Sequence, residues 1–213
     1  MFSLDAAAFP VVRCPRTGLD AGVLPVTRVQ FEYFLGGTTD FPEDAYAGID
    51  RASPRAGWRS APAAHPERVF LAGVRPDEAE RLGTWLGGGF RLPTEAEWRA
   101  VDAAFGRLGP DVQPLRKLAA SPRVHPAARA ILGWHLDREG ATWRAVGRLD
   151  GGLLEWVRLR AGGYGLFGRP PPALVRIVHN PQTHDPVRPT TDARHPSFGF
   201  RLVRQTPAPR PTP

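Results

Sequence analysis

Apolar residues recur at helical spacing in three stretches of the chain, and each stretch opens on residues suited to start a helix. In Pro25-Val26-Thr27-Arg28-Val29-Gln30 a threonine stands three residues before a glutamine, so each side chain can satisfy a backbone amide of the other. Val29, Phe31, Phe34 and Leu35 follow, and Gly36-Gly37 ends the run. A second helix is expected from Pro76, whose fixed φ suits a first turn, with Asp77 and Glu78 beside the positive helix end. Its apolar stripe is Ala79, Leu82, Trp85 and Leu86, before Gly87-Gly88-Gly89. The third is capped by Thr94 with Glu97 three residues on, and Trp98, Val101 and Phe105 share one face.

Elsewhere the pattern is irregular. Residues 38–68, rich in Asp, Pro and Ala, read as a long surface excursion carrying Trp58, and 106–148 are weakly periodic, with helical character from His125 to Leu136. Short strands are expected at Val69–Val74, Leu153–Leu159, Leu174–Val178 and Phe198–Val203. With 24 Pro and 23 Gly, the chain predicts an α+β fold of few short strands, two to three short helices and many loops. Its 213 residues, 42% hydrophobic and 23% charged, suffice for one core. Residues 1–204 read as a single domain and 205–213 as a Pro-rich disordered tail. No run approaches the roughly 18 apolar residues of a membrane span, and Met1–Pro10 lacks the basic start of a secretory signal. A single cysteine, Cys14, leaves no internal disulfide. The chain therefore reads as soluble and cytoplasmic, with no membrane partner.

Arg91-Leu92-Pro93-Thr94-Glu95-Ala96-Glu97-Trp98 is the most specific stretch, and it resembles the RLPTEAEW signature of the formylglycine-generating-enzyme (sulfatase-modifying-factor) family at every position. Pro25–Leu35 is similar to that family's first helix, and Val69–Val74 with Asp77, Ala79 and Trp85-Leu86 to its next segment. Gly151-Gly152-Leu153-Leu154-Glu155-Trp156 stands where GNVWEW belongs, and Phe198-Gly199-Phe200-Arg201-Leu202-Val203 looks like the terminal GFR strand. These landmarks span roughly residues 22–204 in family order. The resemblance implies a C-type-lectin-like fold with Trp85, Trp98 and Trp156 buried. Arg91 is expected to pair with an acid of the helix that follows it. Glu95 and Glu97 sit about 200° apart on that helix and cannot serve one substrate together.

The resemblance also implies a chemistry that this chain lacks. Oxidases of the family hold copper through two cysteines near their C-terminal end, since soft thiolates suit Cu(I), and no cysteine follows Cys14. Sulfoxide synthases of the wider family use histidines in HxxxHxE, which does not occur. The calcium turn implied at GNVWEW has lost its Asn to Gly152, leaving Gly152 and Glu155 as weak positions for a structural calcium. No other cofactor is expected.

Charge is divided unevenly. Residues 151–213 hold nine arginines against Glu155, Asp185 and Asp192, a net +6, whereas the first 150 hold 19 Lys and Arg against 18 Asp and Glu, a net +1. Such asymmetry can mark a face for an acidic partner. The expected function is a catalytically inactive, ligand- or protein-binding or sensor module; the resemblance places inactive relatives in bacterial conflict and signalling systems. Candidate contacts are Arg169, Arg176, His179, Asn180, His184, Arg188, Arg194 and His195. Two alternatives remain: a non-haem-iron-type oxidase using the histidines of this stretch, and a diversified lectin-fold receptor, against which the Arg- and Pro-rich composition argues. Nucleic acid is disfavoured, because no helix or strand interleaves Arg with aromatics.

Overall fold

The computed structural model describes residues 2–52, 69–149, 153–168, 192 and 194–206. A four-stranded antiparallel sheet is built from β1 (Phe2–Leu4), β2 (Pro10–Cys14), β3 (Leu19–Gly22) and β7 (Val203–Gln205), in the order β1-β2-β3-β7. A three-stranded sheet has β4 (Leu154–Arg158) at its centre, antiparallel to β5 (Tyr164–Phe167) and parallel to β6 (Phe198–Gly199). The helices are α1 (Arg28–Gly36), α2 (Glu43–Ala52), α3 (Pro76–Leu86), α4 (Glu95–Leu108), α5 (Gln113–Ala120), α6 (Pro126–Leu136) and α7 (Trp143–Val146). The fold is mixed α+β, with seven helices among the described residues where two to three were expected.

The three helices with sequence caps begin where expected. Thr27 Oγ1 accepts the Gln30 amide at 3.2 Å while Gln30 Oε1 accepts the Thr27 amide at 2.9 Å. Thr94 and Glu97 repeat this at the start of α4, at 3.2 and 2.8 Å. Of the other helices, α6 spans Pro126–Leu136, matching the helical character expected from His125 to Leu136, and α7 is capped by Thr142, whose Oγ1 accepts the Ala145 amide at 3.2 Å. Val112 offers no capping side chain before α5, and at α6 the cap is an unusual one, His125 Nδ1 accepting the Ala127 amide. Helix α2 lies inside the stretch read as an excursion, whose Trp58 lies outside the described residues.

The expected strand at Val69–Val74 is a buried extended segment instead. Its backbone groups serve several partners: Leu71 N–H donates to Val26, Gly73 N–H to Phe198, and Val74 C=O accepts the Trp156 indole at 2.7 Å. The segment has no single neighbour with which to form a ladder. The N-terminal hairpin was not anticipated, because β2 is buried on both faces and shows no apolar–polar alternation. Its turn uses Arg16 and Gly18 at positive φ. Strand β7 runs through Gln205, and Thr206 bonds Gly18 and Asp20, so regular structure extends past residue 204. The expected strand at Leu174–Val178 and residues 207–213 lie outside the described residues.

Two apolar clusters fill the interior. Phe31, Phe34, Leu82, Trp156 and Phe200 anchor one, and Phe70, Trp98, Phe105, Leu132 and Trp143 the other. Trp98 and Trp156 are buried as expected, but Trp85 is only half-buried, because it caps Phe34 and Tyr33 at the edge of the first cluster. Among the described residues no helix is long and apolar enough to cross a membrane. Replacing Trp98 by Ala is expected to cost about 3–5 kcal/mol in urea unfolding.

His135 is buried beside Phe70 and Trp134, and its Nε2 has no hydrogen-bond partner. Burial, aided by Arg148 and Arg138, pushes its pKa down from 6.5 to about 4. The unfolded chain therefore binds this proton more readily than the folded one. The stabilisation it gives is present above the unfolded pKa and is lost as pH falls through the folded one. Stability should drop by about 3 kcal/mol as the pH falls from about 6.5 to below about 4. His135→Leu should flatten this part of the stability–pH profile, measured by urea titration at each pH.

Candidate functional site

Three of the sequence landmarks meet in one buried cluster. Arg201, from the segment joining β6 to β7, is fully buried, as is Glu155 of β4. Its Nε donates to Glu155 Oε2 at 3.2 Å and its Nη2 to Glu155 Oε1 at 3.0 Å. Nη1 donates to the carbonyls of Gly22 and Val23 at 2.6 and 3.0 Å, and Nη2 also reaches the Gly147 carbonyl. All five N–H groups of the guanidinium are thus engaged. Glu155 Oε2 also accepts the Trp98 indole N–H at 2.9 Å. A cation at Glu155 would have to displace the guanidinium, so this carboxylate is built as a structural anion; Gly152 lies outside the described residues.

The RLPTEAEW stretch is likewise engaged in holding itself. Arg91 forks onto Glu97, Nη1 to Oε2 and Nη2 to Oε1, both at 2.7 Å. Burial pushes the Glu97 carboxyl up, but the Arg91 bonds and the Thr94 amide outweigh it and hold it below the usual carboxylate range. Glu95 turns outward to Arg99 at 3.1 Å, so the two glutamates point to different partners. Arg91 also exchanges backbone hydrogen bonds with Val203, joining this stretch to the last strand.

Of the C-terminal arginines that the structure describes, Arg160 is exposed and three others besides Arg201 meet acids from earlier in the chain. Arg158 bonds Glu80 at 2.6 Å, and Arg204 bonds Asp20 at 3.3 Å. Arg194 forks onto the buried Glu78 at 2.6 and 2.8 Å and donates to the Gly73 carbonyl. It reaches them across Gly48, where a Cβ would stand 2.7 Å from its Nε. His195 is held by its neighbours, its Nδ1 accepting the Ser197 amide and its ring tilting against Phe198. Arg169, Arg176, His179, Asn180, His184 and Arg188 lie outside the described residues. Glu78, Glu80 and Asp20 were not anticipated as partners. The available signal was that 18 of the 21 acids lie in the first 150 residues while the last 63 hold nine arginines.

Cys14 is buried in β2, and burial pushes its thiol up to about 11. Such a thiol is almost entirely protonated near neutral pH and a poor nucleophile or metal ligand. Among the described residues no group of three His, Cys, Asp or Glu side chains is placed to hold a metal ion. A small cavity between Asp5, Phe9, Gln30, Phe90 and Leu202 has room for about one water molecule, far less than a ligand pocket. Compared with known proteins, the sequence matches no family model and no curated protein.

Replacing Arg201 by Met leaves Glu155 a buried carboxylate without its cation and should cost about 3–5 kcal/mol in urea unfolding. Adding Glu155→Gln should recover part of that loss. A double variant as unstable as the sum of the two single ones would show that the pair does not act as a unit.

Proposed function

We propose that this chain is a binding or sensor module on a formylglycine-generating-enzyme-like, C-type-lectin-like scaffold, without that family's oxidase chemistry. The observation that carries the reading is the saturation of the motif residues. Arg91, Thr94, Glu97, Trp98, Glu155 and Arg201 hydrogen-bond one another or the backbone around them, leaving no reactive group exposed among them. The one thiol is buried and protonated. A structure whose motif polar residues all hold the scaffold leaves function to the loops around it.

Residues 160–196 are the stretch we assign to contact, with Arg169, Arg176, His179, Asn180, His184 and Arg188 as its candidates. Arg194 and His195 drop out, since their geometry gives them structural roles. The partner is a protein or an acidic ligand, and the setting that the resemblance suggests is a cytoplasmic bacterial conflict or signalling assembly. Incubated with copper, oxygen and a cysteine peptide of the sulfatase type, the protein should yield no formylglycine by mass spectrometry. Turnover above a metal-free control would overturn the reading.

A further inference from the structure

Four of the five described C-terminal arginines are paired internally, Arg160 being exposed, and a separate group of cations lies along one helical hairpin. No acidic residue occurs between Asp111 and Asp137, a stretch that contains α5, α6 and the connection between them. Lys117 lies in the last turn of α5, Arg123 in the connection and Arg129 in the first turn of α6. All three are thus within about one helical turn of the same end of the hairpin. Lys117 and Arg123 are exposed and Arg129 half-buried, and none of them forms an ion pair among the described residues.

The support beneath them is fixed. Ser121 N–H donates to Leu118 and Val124 N–H to Ser121, closing the connection, and His125 N–H donates to Ala8 in the turn between β1 and β2. The His125 ring stacks on Phe9 at 5.2 Å. The neighbouring carboxylate, Asp5, is occupied by the Ala7 and Phe9 amides and by Gln30.

We infer that this end of the α5–α6 hairpin is a docking surface for an acidic segment of a protein partner. The inference goes beyond the proposed loop surface and holds whether or not the chain has lost its chemistry. Charge complementarity selects the partner: three cations on an ordered hairpin that itself carries no acid between Asp111 and Asp137, the nearby Asp5 being engaged by its own hydrogen bonds. A nucleic-acid partner fits less well. Half-buried Trp134, the large aromatic ring of α6, has its face covered by Arg138 at 3.7 Å and is not free to stack on a base. Three cations also give little phosphate neutralisation.

The test is fluorescence anisotropy with a labelled peptide of alternating Asp and Glu, alongside duplex DNA and single-stranded RNA of matched charge. The full chain should bind the peptide more tightly than either nucleic acid, and weaken about tenfold between about 0.05 and about 0.3 M salt. Lys117→Glu, Arg123→Glu and Arg129→Glu together should remove binding. The same residues changed to Gln, a gentler change that guards against misfolding, should weaken it about tenfold with the melting temperature retained. Arg16→Glu, Arg51→Glu and Arg107→Glu, an equal change in net charge at exposed arginines elsewhere, should leave binding in place. Equal loss in this control, tighter binding of either nucleic acid, or no peptide binding at low salt would each overturn the proposal.

Discussion

One buried guanidinium organises the fold. Arg201 joins the end of β3, the turn after α7 and the centre of β4, and through Glu155 it reaches the Trp98 indole of α4. Burying two charges is costly, and the cost is offset only when geometry and secondary hydrogen bonds are nearly complete. Here they are: the cation uses every donor it has, and both carboxylate oxygens are occupied. Lysine could not replace it, since its three donors radiate from one nitrogen and cannot fork onto a carboxylate while reaching three carbonyls. The neighbouring layers pack apolar rings around this centre, with Phe105 beneath the guanidinium at 5.6 Å.

The same logic extends outward through the weaker pairs. Arg194–Glu78, Arg158–Glu80 and Arg204–Asp20 each join a late arginine to an early acid. What looks in sequence like a basic final third is, at Arg158, Arg194, Arg201 and Arg204, half of a set of ion pairs crossing the fold. The exposed members contribute little stability in water. Arg194 differs, because Glu78 is buried and also receives the Arg75 amide at the start of α3.

How much of this was legible depended on whether the cause was local. The caps of α1 and α4 and the first-turn proline of α3 are local devices, so those helix starts could be read directly from Thr27, Thr94 and Pro76. That Arg91 pairs with an acid of the next helix was readable too, and the structure selects Glu97, six residues on, over Glu95. Helix α6 was legible from His125 to Leu136, with Pro126 in its first turn, although an imidazole does the work of a capping hydroxyl there, whereas β2 hides its strand because Val11, Val12 and Cys14 are all covered. The Val69–Val74 segment has a strand's composition, but its backbone groups are divided among separated partners. Position-by-position reading could recognise Glu155 and Arg201 as landmarks. It could not show that they meet, because 46 residues separate them and tertiary packing alone brings them together.

Chain order gives Arg201 a further consequence. Every group that it binds, Gly22, Val23, Gly147 and Glu155, is synthesised before it, the earliest 179 residues ahead. On the ribosome the carboxylate and the carbonyls therefore wait without their cation, and Asp20 and Leu19 wait for the strand that completes their sheet. Contacts of such separation are slow to form because a long loop must close first. The emerging chain can form α1, α3 and α4 early from local caps but cannot seal its interior until the last strand arrives. Until then burying Glu155 would leave a carboxylate without its cation, so desolvation of this part of the core is favourable only once Arg201 arrives.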